Sequence, residues 1–446
     1  MPSPSAFWRK EINADVQRLD DNAVHDWYRF VLAFSDQLVT GMISKFGLEP
    51  GATVLDPFVG TGTTLVECQK LGINGVGLDA NPLTAFASRV KTHWEIDLTQ
   101  FKRKRRALLR RLQTELAEMA TADSPLQLSF TDLEIDEAPG IYETRSRTTH
   151  PEVMALIPKG AINPQLLEKV LIVRDAIFTE SDAAIRDLFL LALAAVTVED
   201  VSNLSFGPEV YVSKQRKDAN VYSLFAGRLQ KMETDLEAVQ ALSRRGRSQV
   251  YNADARALSQ YVAEPVDSVI TSPPYPNEKD YTRITRLEMV LLGFIRDKKD
   301  LRALKQGLLR SNTRNVFVKD DDAQYVRDIL SIVEIAAEIE RRRLAKGANS
   351  GFEKLYSRVV LEYFGGMYRV LAELEKVMRR GAKAAIVVGD QMSYFRVPIQ
   401  TAELLAEVVT QKGLKFKVLG IDEWRMRKAT ATRMNIRETI LLLSRR

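Results

Sequence analysis

Residues 52–79 restrict this chain more than any other stretch. Ala52-Thr-Val-Leu-Asp-Pro-Phe58 begins a strand, and Val59-Gly60-Thr61-Gly62-Thr63-Thr64 follows as a glycine-rich turn. Leu65 to Leu71 has amphipathic helical spacing, and Gly72-Ile-Asn-Gly-Val-Gly-Leu-Asp79 reads as a second strand closed by an acid. That order, with the acid about 20 residues beyond the turn, belongs to a nucleotide-binding βαβ unit. It commits the chain to a parallel sheet with helices on both faces. Gly60 and Gly62 let the backbone approach a ligand closely, and Asp79 is placed to accept both hydroxyls of a ribose. The spacing is not G-x-G-x-x-G, and no Gly-Lys-Ser/Thr follows. An adenosine-containing ligand without a pyrophosphate therefore fits better. The plainer alternative is a structural glycine turn in some α/β enzyme.

A second stretch carries chemistry. Val266-Asp-Ser-Val-Ile270 is a buried-strand pattern, and Thr271-Ser272-Pro273-Pro274-Tyr275 follows it. Two prolines have fixed φ and no N–H, so the chain leaves the sheet there in a stiff, extended turn. A serine hydroxyl, carbonyls without ladder partners and an aromatic ring then meet at the carboxyl edge. The ring can stack on a planar base while the oxygens accept hydrogen bonds from its amino group. The plainer alternative here is a Pro-rich exit loop.

Composition narrows the class. At 446 residues the chain exceeds one typical domain. A net charge of +6 and a pI near 9.1 favour a polyanionic partner, mildly. Cys68 is the one cysteine, which excludes an internal disulfide framework. His25, His93 and His150 lie far apart in sequence, so a His/Cys zinc site is not expected, and the metal expectation is none. The first residues lack a signal-peptide pattern and no apolar run reaches membrane-spanning length, so the expectation is a soluble cytoplasmic protein with no membrane partner.

Taken together the motifs are specific. Asp56-Pro57-Phe58-Val59-Gly60-Thr61-Gly62-Thr63-Thr64 resembles the D-P-F-x-G-x-G-T-T signature of S-adenosylmethionine-dependent DNA amino-methyltransferases. Thr271 to Tyr275 resembles their catalytic S/D/N-P-P-Y/F/W motif. Val250-Tyr-Asn-Ala-Asp254-Ala-Arg256 is similar to the family strand whose acid contacts the cofactor's adenine. Lys383 to Asp390 is similar to the fifth strand, and Leu414 to Leu419 with Glu438 to Leu443 to the closing antiparallel pair. The resemblance covers about half the chain in pieces and implies a class I methyltransferase fold, an α/β Rossmann-like sheet of seven strands.

The rest is insertion. The expected division is 1–96 (an N-terminal helix over about 8–48, then the cofactor-binding part), 97–246 (mostly helical, candidate target recognition), 247–282 (the catalytic part), 283–352 (a second helical insertion) and 353–446 (the C-terminal part). Asp132 to Lys159 and Ser205-Phe-Gly-Pro-Glu read as irregular. Lys102-Arg103-Lys104-Arg105-Arg106 opens the first insertion and is the preferred nucleic-acid-binding cluster, against the plainer reading of a solvated helix face.

The resemblance implies S-adenosylmethionine as cofactor, contacted by Asp56, Phe58, Gly60, Gly62, Thr63, Asp79 and Asp254. It implies double-stranded DNA with the target base flipped out as partner, and a cognate restriction endonuclease as a possible second one. Ser272, Pro273, Pro274 and Tyr275 would be catalytic, with cytosine N4 preferred because serine leads the motif. Adenine N6 is the first alternative, then an RNA base methyltransferase, then a non-catalytic nucleic-acid-binding protein. A C5-cytosine enzyme attacks with a cysteine in a Pro-Cys pair, but this chain has Pro273-Pro274 there and Cys68 behind the glycine turn. Cys68 is therefore read as packing.

Overall fold

The computed structural model describes residues 19, 22–30, 35–121, 151–207, 209–213, 215–428 and 435–446. Helix α1 (Asp36–Phe46) starts where the Ser35 hydroxyl accepts from the Gln37 N–H, and ends at Gly47, whose φ of 67° is left-handed. The helix expected over residues 8–48 is therefore shorter. His25–Trp27 makes only a 3-10 turn, and Tyr28, at φ −155°, is extended. Residues 8–18, 20–21 and 31–34 of that expectation lie outside the described residues, as do 132–150 of the irregular segment.

The nucleotide-type unit follows as β1 (Thr53–Asp56), α2 (Thr63–Lys70), β2 (Asn74–Asp79) and α3 (Pro82–Thr92). The first long excursion carries α4 (Leu98–Thr121), α5 (Pro164–Phe178), α6 (Ala183–Val196), a hairpin β3 (Leu204–Phe206) and β4 (Val210–Val212), then α7 (Val221–Gln240). Strands β5 (Ser248–Asn252) and β6 (Val266–Thr271) come next. The second excursion holds α8 (Lys298–Gly307) and α9 (Leu330–Ala345). The chain closes with α10 (Tyr356–Val377), β7 (Met378–Gly389), α11 (Thr401–Gln411), β8 (Phe416–Lys428) and β9 (Asn435–Arg445). Ser205 to Glu209, expected to be irregular, belongs to the hairpin, where Ser205 pairs with Tyr211 and Phe206 with Val210. Gly207-Pro208 dominates that short sequence and hides strands of three residues each.

The large sheet has the order β5-β2-β1-β6-β7-β9-β8, with β9 antiparallel to both neighbours and the other pairings parallel. This is the seven-stranded class I methyltransferase arrangement. Period-two alternation explains why its strands read as continuous apolar runs. Ala384, Ile386 and Val388 of β7 face a core shared with α10 and α11. Ala385 and Val387 face the opposite core, with α1 and Cys68. Cys68 is fully buried there, and burial pushes its thiol well above the ordinary range, as packing requires. A third apolar cluster joins Leu83, Phe86 and Val90 of α3 to α4–α7 and to Leu287–Ile295 of the second excursion. Both excursions thus pack into a core that α3 shares. Among the described residues no helix is long and apolar enough to cross a membrane.

Candidate active site

β1 and β6 are parallel neighbours, so the glycine turn and the Ser272–Tyr275 exit leave the same carboxyl edge side by side. Asp56 joins them. Its Oδ1 accepts from the Thr271 hydroxyl at 2.6 Å and the Phe58 N–H at 3.1 Å, and its Oδ2 accepts from the Thr64 hydroxyl at 2.7 Å. The residue, expected among the cofactor contacts, is wholly buried, and its oxygens face the protein's own donors. Burial raises its pKa to about 6, against the pull of the two threonine hydroxyls.

Asp79 behaves differently. It keeps partial exposure at the end of β2, where Oδ2 accepts from the Gly60 N–H at 3.0 Å and Oδ1 from the Asn81 N–H at 2.8 Å. Each oxygen accepts a backbone N–H, and with about four acceptor positions in all the carboxylate keeps capacity beyond these bonds. Burial raises its pKa to about 6, the hydrogen bonds from Asn81, Thr84 and Gly60 opposing.

The two glycines of the turn have separate reasons. Gly60, at φ 52°, would place a Cβ in nearly open space, with nothing nearer than the Phe58 carbonyl at 4.0 Å. Gly62, at φ 90°, would drive a Cβ to 2.8 Å from the Ser88 hydroxyl on α3. Gly60 therefore leaves room over the turn, whereas Gly62 packs one helix against the next. Thr63, buried, opens α2, and Phe58 is half-buried against the core under α10.

On the other side of Asp56, the Ser272 hydroxyl donates to the Val387 carbonyl of β7 at 3.3 Å and lies 3.4 Å from the Tyr275 hydroxyl. A serine whose proton is directed into the sheet turns its lone pairs outward as acceptors. Tyr275 is half-buried and packs its ring on the core that Phe58 also meets, while Pro273 is buried and Pro274 partly so.

Two expectations look different in three dimensions. Asp254 is bound by its own neighbour: the Arg256 Nε lies 3.0 Å from both oxygens, and Nη2 reaches Oδ2 at 2.7 Å. Arg256 in turn reaches Asp322 of the second excursion at 2.6 Å. An adenine amino group at Asp254 would share oxygens already holding a guanidinium.

The basic run on α4 is largely neutralised. Lys102 pairs with Glu237 at 2.5 Å, Arg105 with Glu233 at 3.1 Å, and Lys104 with Glu180. Arg103 and Arg106 remain exposed. The pairing acids come from α7 and from just beyond α5, so Arg103 and Arg106 are the cations of this run most open to a phosphate. Arg105→Ala should lower stability by about 1–3 kcal/mol, because buried Glu233 would keep only Lys102, at 3.9 Å. Urea unfolding checks this, and an unchanged midpoint would count against the pairing.

Sequence reasoning missed Thr64, Thr271, Asn81, Arg256 and the Val387 carbonyl. The first two lay inside the quoted motifs, and asking what satisfies a buried Asp56 would have found them. Among the described residues no group of three or more His, Cys, Asp or Glu could hold a metal ion.

The DNA methylase family pattern matches residues 3–85, which include the glycine turn and Asp79. The chain is 25% identical to the Type II methyltransferase M.BsoBI of Geobacillus stearothermophilus, across 96% of this chain and 84% of that one. Over nearly its whole length the chain is thus similar to Type II methyltransferases, and over residues 3–85 to the DNA methylase family. It is also 24% identical to the Type II methyltransferase M.AvaI of a Nostoc species, across 87% of this chain and 78% of that one. Methyltransferases of this family generally use S-adenosylmethionine. Among solved structures, the rRNA methyltransferase aviRa from Streptomyces viridochromogenes aligns over 96% of this chain and 94% of its own length. That likeness has 10% identity and a TM-score of 0.32, too slight to bear on substrate.

Proposed function

We propose that this chain methylates DNA at an exocyclic amino nitrogen, cytosine N4 in preference to adenine N6, with S-adenosylmethionine as donor. The observation that carries the proposal is Ser272, an outward-facing acceptor fixed by the Val387 carbonyl and tied through Thr271 and Asp56 to the glycine turn.

The residues fit the donor. Asp79, partly exposed at the end of β2, retains acceptor capacity toward a ribose diol, and the space over Gly60 admits a ligand against the backbone. S-adenosylmethionine, bound there, would supply an electrophilic methyl on a positively charged sulfur.

The remaining steps belong to the protein. The target base leaves the duplex at a cost of a few kcal/mol. Tyr275 stacks on it, while the Ser272 hydroxyl and the Pro273 carbonyl accept its two amino hydrogens. That draws the nitrogen from planar toward tetrahedral geometry and frees its lone pair. The nitrogen would bond to the methyl carbon as that carbon's bond to sulfur breaks, the sulfur leaving as a neutral thioether, and one amino proton would pass to water. Catalysis is then positioning and electrostatics, without a covalent enzyme intermediate. Serine at the first motif position favours cytosine. A cognate endonuclease would be the partner of such an activity.

Methyl-labelled S-adenosylmethionine offered with DNA or with RNA tests the substrate class. Label in DNA alone is expected. Label in RNA alone would overturn the assignment.

A further inference from the structure

Asp56 is acceptor-only when ionised, and its bonds arrive from three chain segments. Thr64 stands on the first turn of α2, immediately behind the glycine turn. Thr271 is the last residue of β6, and its neighbour is Ser272. Phe58 lies in the turn itself. Thr64 is fully buried and Thr271 is 2% exposed, so water does not substitute for either bond. The Thr64 hydroxyl also lies 3.4 Å from the Ile270 carbonyl, a second tie between α2 and β6. A carboxylate taken out of water is costly unless its lone pairs are filled, and here only hydroxyls and one N–H fill them.

A backbone shift at the glycine turn would therefore lengthen a bond at Thr64, and the same carboxylate would pass that shift to Thr271. We infer that Asp56 is a positioning residue: one buried carboxylate sets both the turn proposed to hold the methyl donor and the placement of Ser272. This rests on the proposed function and adds a residue that touches neither substrate nor donor.

The two arms can be cut separately with little change in volume. Thr271→Val removes one hydroxyl. It should lower kcat about tenfold at saturating S-adenosylmethionine, while the Kd for the donor, measured by calorimetry, stays within about twofold. Thr271→Ser should restore kcat, because it returns the hydroxyl without the methyl. Thr64→Val should weaken donor binding about fivefold, and the double variant should fall short of the product of the two single effects. A residue that only holds the fold together would lower the unfolding midpoint and leave kcat of the folded fraction unchanged. Thr271→Val with wild-type kcat, or no recovery in Thr271→Ser, would overturn the inference. Wild-type protein that binds the donor but transfers no methyl group to DNA would overturn the proposed function as well.

Discussion

Ser272→Ala is expected to slow methyl transfer about a hundredfold, roughly 3 kcal/mol, while leaving S-adenosylmethionine binding nearly intact. The serine is held by the Val387 carbonyl and lies against the Tyr275 hydroxyl, just after β6 rather than in the turn after β1, so its loss leaves the proposed donor site standing. Tyr275→Ala should be comparably severe, since the stacking of one base on a ring contributes about 1–3 kcal/mol. It also removes part of the packing against the core beneath it. Tyr275→Phe should be much milder. The ring remains for stacking, and the substitution takes away the hydroxyl that lies 3.4 Å from Ser272. Single-turnover rates with calorimetric donor affinities separate these effects. Full activity in Ser272→Ala together with Tyr275→Ala would remove this edge from the chemistry.

Asp79→Ala should weaken S-adenosylmethionine binding by about 1–3 kcal/mol without unfolding the protein. The same carboxyl predicts a pH dependence. Burial lifts its pKa from 3.8 to about 6, and only the ionised form offers both oxygens as acceptors. Donor affinity should therefore be flat above neutrality and fall as the pH drops through about 6. Stability runs the other way. A carboxyl whose folded pKa is raised favours folding when protonated. Its contribution is fully present below pH 3.8 and is lost as pH rises through about 6. Calorimetric titrations at several pH values check the first sign and thermal melts the second. Affinity independent of pH between 5 and 7 would remove Asp79 from the donor site.

The parallel sheet was legible because β1 and β6 are short, mostly apolar stretches that run into proline turns, and the first βαβ unit dictates where the next loops emerge. Its closing antiparallel pair was legible through the resemblance. The role of Asp56 was hidden: a motif assigns it to the cofactor loop, whereas Thr271 lies 215 residues away. The ion pairs of the α4 cations were hidden for the same reason, because Glu180, Glu233 and Glu237 are distant in sequence. The pairing of Asp254 with Arg256 was missed at close range. Arg256, two residues on, can turn back on it only once β5 has ended and the 3-10 turn Ala255–Gln260 has formed. The N-terminal helix was overextended because Trp27 and Leu38 fall on one helical spacing. Trp27 nonetheless packs from a 3-10 turn, its indole N–H donating to Asp235 at 2.9 Å.

Mass spectrometry of nucleosides from DNA treated with the protein and S-adenosylmethionine tests the central claim most directly. The account predicts N4-methylcytosine, absent with Ser272→Ala, and no 5-methylcytosine. N6-methyladenine would keep the mechanism and change the base. 5-Methylcytosine, or no modified base from protein that binds the donor, would contradict the account.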